Sequence, residues 1–394
     1  MLYIPERHLP FATHPWDEGR VRETISDILL RTRNGLAPTE RLWPLHPKDV
    51  YEACPPFSTN FYFGAAGVLW AVRELAPFAQ IESELPSIDD ILAEHLKTED
   101  TTPDSAFCGE LGIRFVKQIL SPCSENSKIL KFLIQRASKN PCREILYGGP
   151  GALAMAHSLW RRGDDSYREL CTEVAQRLLE QRETDELSGA RIWTQHLGTP
   201  RNFVGAAHGS AGNFGVLIRV LRDLGETNTV RELIHDAETF LRAYSRVQGE
   251  FANWPRGTDE SEYSTLLVVH WCHGATGMVT DVSGSITAEE SPSLDELFLK
   301  AANLVWRAGP LEKGPSLCHG TAGSGLACLK MFERTRAELW LERARGLAMF
   351  AIKQYRSELA LFGQARFSLW TGDLGLAIFL RDVLNKEGTL PGLE

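Results

Sequence analysis

Positive charge is scarce in this chain of 394 residues: 42 Lys and Arg stand against 51 Asp and Glu, a formal net charge of −9. A surface of that sign has no general attraction for phosphate backbones or anionic lipid, which argues against nucleic acid as a partner. Long hydrophobic runs are missing too. One of the longest, "LLVVHWC", ends in a polar cluster, far short of the roughly 18 residues that a transmembrane segment needs. The N-terminal "MLYIPERHLPFATHPW" lacks the basic-then-apolar layout of a signal peptide, so a cytoplasmic protein is the expectation. Cysteine is sparse, at eight residues, too few for a disulfide scaffold in a chain this long. In a reducing compartment a cysteine inside a motif reads as metal-binding or catalytic. Strand-type alternation is scarce throughout, which points to helices.

Glycine is what the chain has in pattern. Gly-x-x-Gly occurs at 64–67, 109–112, 148–151, 209–212, 274–277, 320–323 and 372–375. Random placement of 33 glycines would give about three such pairs and would not space them. The first glycines lie 45, 39, 61, 65, 46 and 52 residues apart. Apolar segments follow several copies, among them "GVLWAVREL" and "GLAIFLRDVL". Amphipathic segments lie between the copies; in one, Tyr167, Leu170, Val174 and Leu178 share a helical face. Each repeat therefore reads as an amphipathic helix followed by a more apolar one that starts at the glycine pair. Neither end carries an obvious polar capping repeat, which an open stack would need. The expected fold is all-α: a closed α/α toroid, a double ring of seven inner and seven outer helices. Residues 1–55 are expected to form a lead-in packed on the toroid, and 56–394 the toroid domain itself.

Inner helices that begin at one end of a ring bring the residues before each glycine pair together. Just before the first glycine stand Phe63, Cys108, Tyr147, His208, His273, His319 and Thr371. One position earlier stand Tyr62, Phe107, Leu146, Ala207, Cys272, Cys318 and Trp370. Thiols and imidazoles thus converge, and zinc takes that donor set. Cys272, Cys318 and His319 would make a Cys₂His site with one open position. Cys108 shares the register but has Phe107 beside it and no histidine, so it is left out. A Cys318–His319 nucleophile and base is the rival reading, although adjacent side chains rarely aim at each other. Cys54, Cys123, Cys142, Cys171 and Cys328 read as core or surface thiols.

"FVGAAHGSAG", "VVHWCHGATG", "EKGPSLCHGTAG" and "FSLWTGDLG" together resemble the lanthionine synthetase C-like family over nearly the whole chain. "WCHG" with "GAAHG" is more similar to stand-alone, eukaryotic-type members than to lantibiotic cyclases. The resemblance implies a toroid of fourteen helices with zinc at the centre of one end, held by Cys272, Cys318 and His319. It implies Michael-type addition of a thiol, from a peptide cysteine or glutathione, to a dehydroamino acid in a peptide or protein, forming a thioether such as lanthionine. His208 matches the family's general acid and base, and Glu144 its acidic partner. His273 points at the site by register; His270 flanks Cys272 from the other side. Lys313 matches a lysine that helps hold the glutathione carboxylate, and Arg366 is a second candidate for that part. Two basic residues of the family pattern are missing. Cyclases carry an arginine shortly before the Trp-Cys pair, yet 264–269 reads "STLLVV", and Gly149 stands where stand-alone members often carry arginine. The family's anchoring or enolate-stabilising arginines therefore do not carry over at these two positions. The competing classes are a non-catalytic zinc-containing scaffold for peptides, glutathione or signalling partners, and a terpenoid-type toroidal enzyme, whose Asp-rich motifs are not evident.

Overall fold

The computed structural model describes residues 1–50, 55–81, 84–98 and 100–393. The helices in the first part of the chain are α1 (Glu18–Asn34), α2 (Ala65–Glu74), α3 (Ile88–His95), α4 (Glu110–Leu120), α5 (Ser124–Ala137), α6 (Gly149–Arg161) and α7 (Arg168–Glu180). Then come α8 (Ser210–Leu224), α9 (Thr227–Tyr244), the single turn α10 (Glu262–Thr265) and the short α11 (Ala275–Gly277), which runs into a π-helical turn at Met278–Val282. The last are α12 (Pro292–Ala308), α13 (Thr321–Thr335), α14 (Glu338–Phe362) and α15 (Asp373–Asn385). Among the described residues the strands form only four two-stranded hairpins.

The inner layer is α2, α4, α6, α8, α11 with its π turn, α13 and α15, each packed on the next, and α15 packs back on α2. The ring is therefore closed. Helices α1, α3, α5, α7, α9, α12 and α14 form the outer layer, with α1 lying against α14 and α15. The amphipathic reading of α7 holds: Tyr167, Leu170, Val174 and Leu178 are all buried.

The glycine pairs explain why the inner helices can sit so close. Six of the seven first glycines cap their helix in extended conformation; Gly274 does so at φ +82°, which favours glycine. The second glycine has one job in all seven copies. A side chain on Gly67, Gly112, Gly151, Gly212, Gly277, Gly323 or Gly375 would lie 1.8–2.2 Å from the carbonyl oxygen six residues earlier. Those carbonyls belong to Phe61, Ala106, Ile145, Ala206, Trp271, Leu317 and Leu369. Only a bare Cα lets the first helical turn rest on that backbone.

The segments so held are tied to one another. Tyr62 donates its amide to the Phe107 carbonyl (2.9 Å), Phe107 to Leu146 (3.4 Å), Ile145 to Ala207 (3.0 Å) and Ala207 to Cys272 (3.3 Å). Trp271 donates to Cys318 (3.0 Å), Cys318 to Trp370 (2.9 Å), and Trp370 back to Tyr62 (3.0 Å). This hoop of backbone hydrogen bonds links all seven repeats at one end of the ring. Aromatic rings from the same segments fill the space beside it. Trp370 meets Trp271 with ring centroids 4.1 Å apart, Phe107 at 5.5 Å and Tyr62 at 6.2 Å. Each such pair adds about 0.5–1.5 kcal/mol beyond its buried area.

Gly212→Ala places a Cβ 1.8 Å from the Ala206 oxygen. It is expected to lower the free energy of unfolding in urea by about 3 kcal/mol or more, or to prevent folding. Gly284→Ala meets no atom within 4 Å and is expected to stay within about 0.5 kcal/mol of the parent. Equal stability of the two variants would show that the close approach imposes no constraint.

Candidate metal centre

Repeats five and six deliver the thiols. Val269–His270 pairs with His273–Gly274 in a tight hairpin in which His270 faces His273, leaving Trp271 and Cys272 at the turn. Asn253 holds this hairpin in place. Its side chain donates to the carbonyl of Val268 (3.1 Å) and accepts from the amide of Ala275 (2.7 Å), the first residue of α11. Cys318 and His319 stand just before Gly320, the cap of α13.

Cys272 Sγ lies 3.2 Å from His319 Nε2 and 3.3 Å from His270 Nδ1; Cys318 Sγ lies 3.8 Å from His319 Nε2. A tetrahedral ion with bonds of about 2.3 Å to sulfur and 2.0 Å to nitrogen has S···N edges of about 3.5 Å. The two separations to His319 bracket that value, so His319 can share a zinc-sized ion with either thiol; the group whose donor atoms all lie within 4.8 Å of one another here is His270, Cys272 and His319, without Cys318. His270 offers a further nitrogen beside Cys272, and a ring nitrogen of His208 lies with Cys272 and His273 in a second group, all donor atoms within 4.8 Å of one another. Sequence reasoning had placed His270 only as a flanking residue; the two-residue turn is what folds it onto the cluster.

The two thiols are electrostatically unlike. Cys272 is held well above the usual thiol range by its hydrogen bond to Cys318, with burial adding to the effect. Burial alone would raise Cys318 too. The hydrogen bond from Cys272, the charge and hydrogen bond of His319, and a hydrogen bond from Tyr62 outweigh it and hold Cys318 well below that range. The pair is thus polarised, with Cys272 as the donor and Cys318 as the acceptor. By contrast, burial pushes Cys142 to about 11 and Cys171 and Cys328 to about 12, as befits unreactive thiols. Burial likewise pushes Cys108 up to about 11. Cys123 is an exposed thiol, and Cys54 lies outside the described residues.

Repeats three and four deliver an imidazole and its carboxylate. His208 Nδ1 donates to Glu144 Oε2 at 2.9 Å, and Glu144 Oε1 accepts the amide of Tyr147 at 2.5 Å. The Glu144 side chain is 0% exposed and that of His208 23%, so the imidazole alone reaches solvent. Burial would lower the His208 pKa, but the hydrogen bond and charge of Glu144 and the charge of Cys318 raise it overall. His208 therefore holds its proton more tightly than a free imidazole does. The ring of His273 lies 5.3 Å from that of His208. Burial first, then the charges of His208, Arg256 and His319, push His273 far below its ordinary value, which keeps it neutral.

The two basic residues assigned to substrate divide. Lys313 is exposed, and its charge reaches Cys272. Arg366 is buried and committed: its Nε and one terminal nitrogen bond the two oxygens of Asp49 at 2.7 and 2.5 Å. The structure therefore gathers Glu144, His208, Cys272, His273, Cys318 and His319 into one cluster with Lys313 at its edge, while Arg366 serves an internal ion pair.

Residues 55–393 match the lanthionine synthetase C-like protein family, and the chain belongs to it. It is 29% identical over 184 residues to glutathione S-transferase LANCL1 of Danio rerio, 46% of this chain and 43% of that one. It is 28% identical over 197 residues to LanC-like protein GCL1 of Arabidopsis thaliana, 49% of this chain and 43% of that one. The matches thus span less than half the length of either relative. Among solved structures, nisin cyclase superposes with a TM-score of 0.58 over 82% of this chain and 88% of that one, at 13% identity, a likeness of fold.

Glu144→Gln removes both the ionic acceptor and the charge that hold the His208 proton. The His208 pKa is expected to fall, read from the pH titration of its imidazole resonances by NMR. An unmoved titration would mean that Glu144 does not set the protonation of His208.

Proposed function

We propose that this protein is a zinc enzyme that adds a thiol to a dehydroamino acid in a peptide or protein and so forms a thioether. The observation that carries this reading is the meeting, at one end of the ring, of three zinc-type donors from two repeats with a carboxylate-held imidazole from two others. Bound to Cys272, Cys318 and His319, zinc would bind an incoming thiol and favour its ionised form.

The chain's own groups supply the rest. Attack by sulfur on the β-carbon needs a proton delivered to the α-carbon. His208 can give it as the imidazolium that Glu144 favours, and can recover one from the next thiol. Glu144 fixes the tautomer, since Nδ1 carries the shared proton and Nε2 is left for exchange. Neutral His273 shields the other side. Below the cluster the aromatic rings of Tyr62, Phe107, Trp271 and Trp370 exclude water, which strengthens every charge interaction there. The seven described cysteines are free thiols, which suits a cytoplasmic enzyme. No described helix is long and apolar enough to cross a membrane. Lys313 supports an anionic thiol such as glutathione, the compound in the name of the zebrafish relative. A peptide cysteine is the other donor of this class. The toroid domain is taken as residues 56–394, with α1 of the lead-in completing its outer layer.

One observation favours a second reading, a zinc-containing scaffold that does no chemistry. Arg366, the other candidate for the thiol's carboxylate, is already neutralised by Asp49.

Purified protein is expected to contain about one zinc per chain by elemental analysis, and Cys318→Ala to lose it. His208→Ala is expected to keep its zinc while thiol addition to a dehydroalanine peptide, followed by mass spectrometry, falls by about 100-fold or more. Protein purified without metal would sink the proposal. Zinc with no addition from any thiol would select the scaffold. In the active protein the general acid must be protonated, so turnover is expected to decline as pH rises through the raised pKa of His208.

A further inference from the structure

The segment 264–269 lacks the arginine expected before the Trp-Cys pair, yet a cation reaches the cluster from elsewhere. Arg256 lies in the turn after the Arg246–Gln248/Phe251–Asn253 hairpin. Its carbonyl accepts the amide of Val204 at 2.9 Å, and the adjoining Gly257 bridges to Phe203. Arg256 is thereby stitched to the strand of chain that ends in His208. Its guanidinium carbon lies 4.6 Å from the centroid of Tyr263. Tyr263 meets Phe203 at 6.3 Å, and Phe203 meets His273 at 5.9 Å, so aromatic packing carries the guanidinium to the His273 side of the cluster.

Arg256 has no counter-ion; among the partly buried described arginines Arg343 and Arg345 also lack one, but both lie on the outer helix α14, away from the cluster. Arg182 pairs with Asp236, Arg219 with Asp281 and Arg366 with Asp49. Among the described residues no carboxylate pairs with Arg256, and its Nε is buried with no hydrogen-bond partner. A desolvated N–H costs free energy until an acceptor arrives. The charge reaches the cluster: at His208 it acts with burial and against the raising effects of Glu144 and Cys318.

We propose that Arg256 is a catalytic residue that pairs with the carbonyl oxygen of the dehydroamino acid and balances the negative charge this oxygen gathers. The inference rests on the thiol-addition reading. In the step, the thiolate sulfur forms a bond to the β-carbon, and the alkene π pair moves toward the carbonyl to give an enolate whose oxygen faces Arg256. The enolate pair then takes the His208 proton at the α-carbon. The thiol's own proton restores the imidazolium, and nothing is oxidised or reduced. Oxygen and α-carbon are separated by one carbonyl carbon, so the two groups that serve them must be close, and the Val204–Arg256 backbone bond ties Arg256 to the segment that ends in His208. Lys313 stands by the sulfur end and serves the thiol.

The test compares Arg256→Gln, Arg256→Lys and Arg201→Gln in the full chain with zinc. Arg201 is the control, because it lies over the same Tyr263 ring, at 5.6 Å, but sits 4.0 Å from Asp259. Arg256→Gln is expected to lower kcat on a dehydroalanine peptide by about 100-fold or more, as loss of an oxyanion donor does. Its zinc content, its thermal unfolding and its calorimetric affinity for glutathione should be unchanged. Arg256→Lys should recover part of kcat, and Arg201→Gln should match the parent. A parent protein that adds no thiol defeats the reading of the site and this inference with it. An active parent with undiminished kcat in Arg256→Gln defeats the inference alone. Loss of zinc or of folded protein in Arg256→Gln assigns Arg256 to the scaffold and also overturns it.

Discussion

The hoop of backbone hydrogen bonds at one end of the ring is the constraint on which the rest depends. Each repeat offers a short extended segment before its glycine pair. The second glycine clamps that segment under the first turn of the inner helix, because its bare Cα rests on the carbonyl six residues back. The clamped segment then bonds to the next one round the ring. Donor atoms placed on such segments inherit backbone precision rather than depending on flexible rotamers. Cys272 and Cys318 are themselves members of the hoop, and Ala207 is a member beside His208. A site assembled from four repeats is thus held together by main chain.

The ring also sorts chemistry by sector. Repeats seven, one and two contribute Trp370, Tyr62 and Phe107 at the position where repeats five and six contribute thiols. The aromatic sector makes the dry wall that a thiolate and an imidazolium need if their charges are to act strongly. The thiol sector is wedged between that wall and the histidines. Tyr62 touches both worlds, since its ring stacks on Trp370 at 12° while it hydrogen-bonds Cys318.

Much of this was legible in the sequence for a definite reason. Whatever repeats is legible: the second glycine does the same work seven times, so its spacing marks the helices, their order and the shared register of His208, Cys272, Cys318 and His319. What does not repeat was hidden. The pairing of Arg366 with Asp49 joins opposite ends of the chain and has no local signature. The place of His270 follows from a two-residue turn that a helical reading of the fifth copy passes over. Arg256 and Asn253 sit in a connection between helices, outside the repeat register, where sequence gives position along the chain but not position in space.

The Trp370–Tyr62 hydrogen bond has a further meaning for how the molecule comes into being. The hoop closes only where the seventh repeat meets the first, and the amide of Cys318 is tied to the carbonyl of that same Trp370. The thiols therefore reach their final spacing only after the seventh repeat has met the first, the contact of greatest sequence separation within the hoop and the one of its bonds that entropy resists most. A chain still being synthesised carries its cysteines as ordinary thiols. Ring closure brings them to the spacing of the candidate site, so its assembly and completion of the fold are a single event.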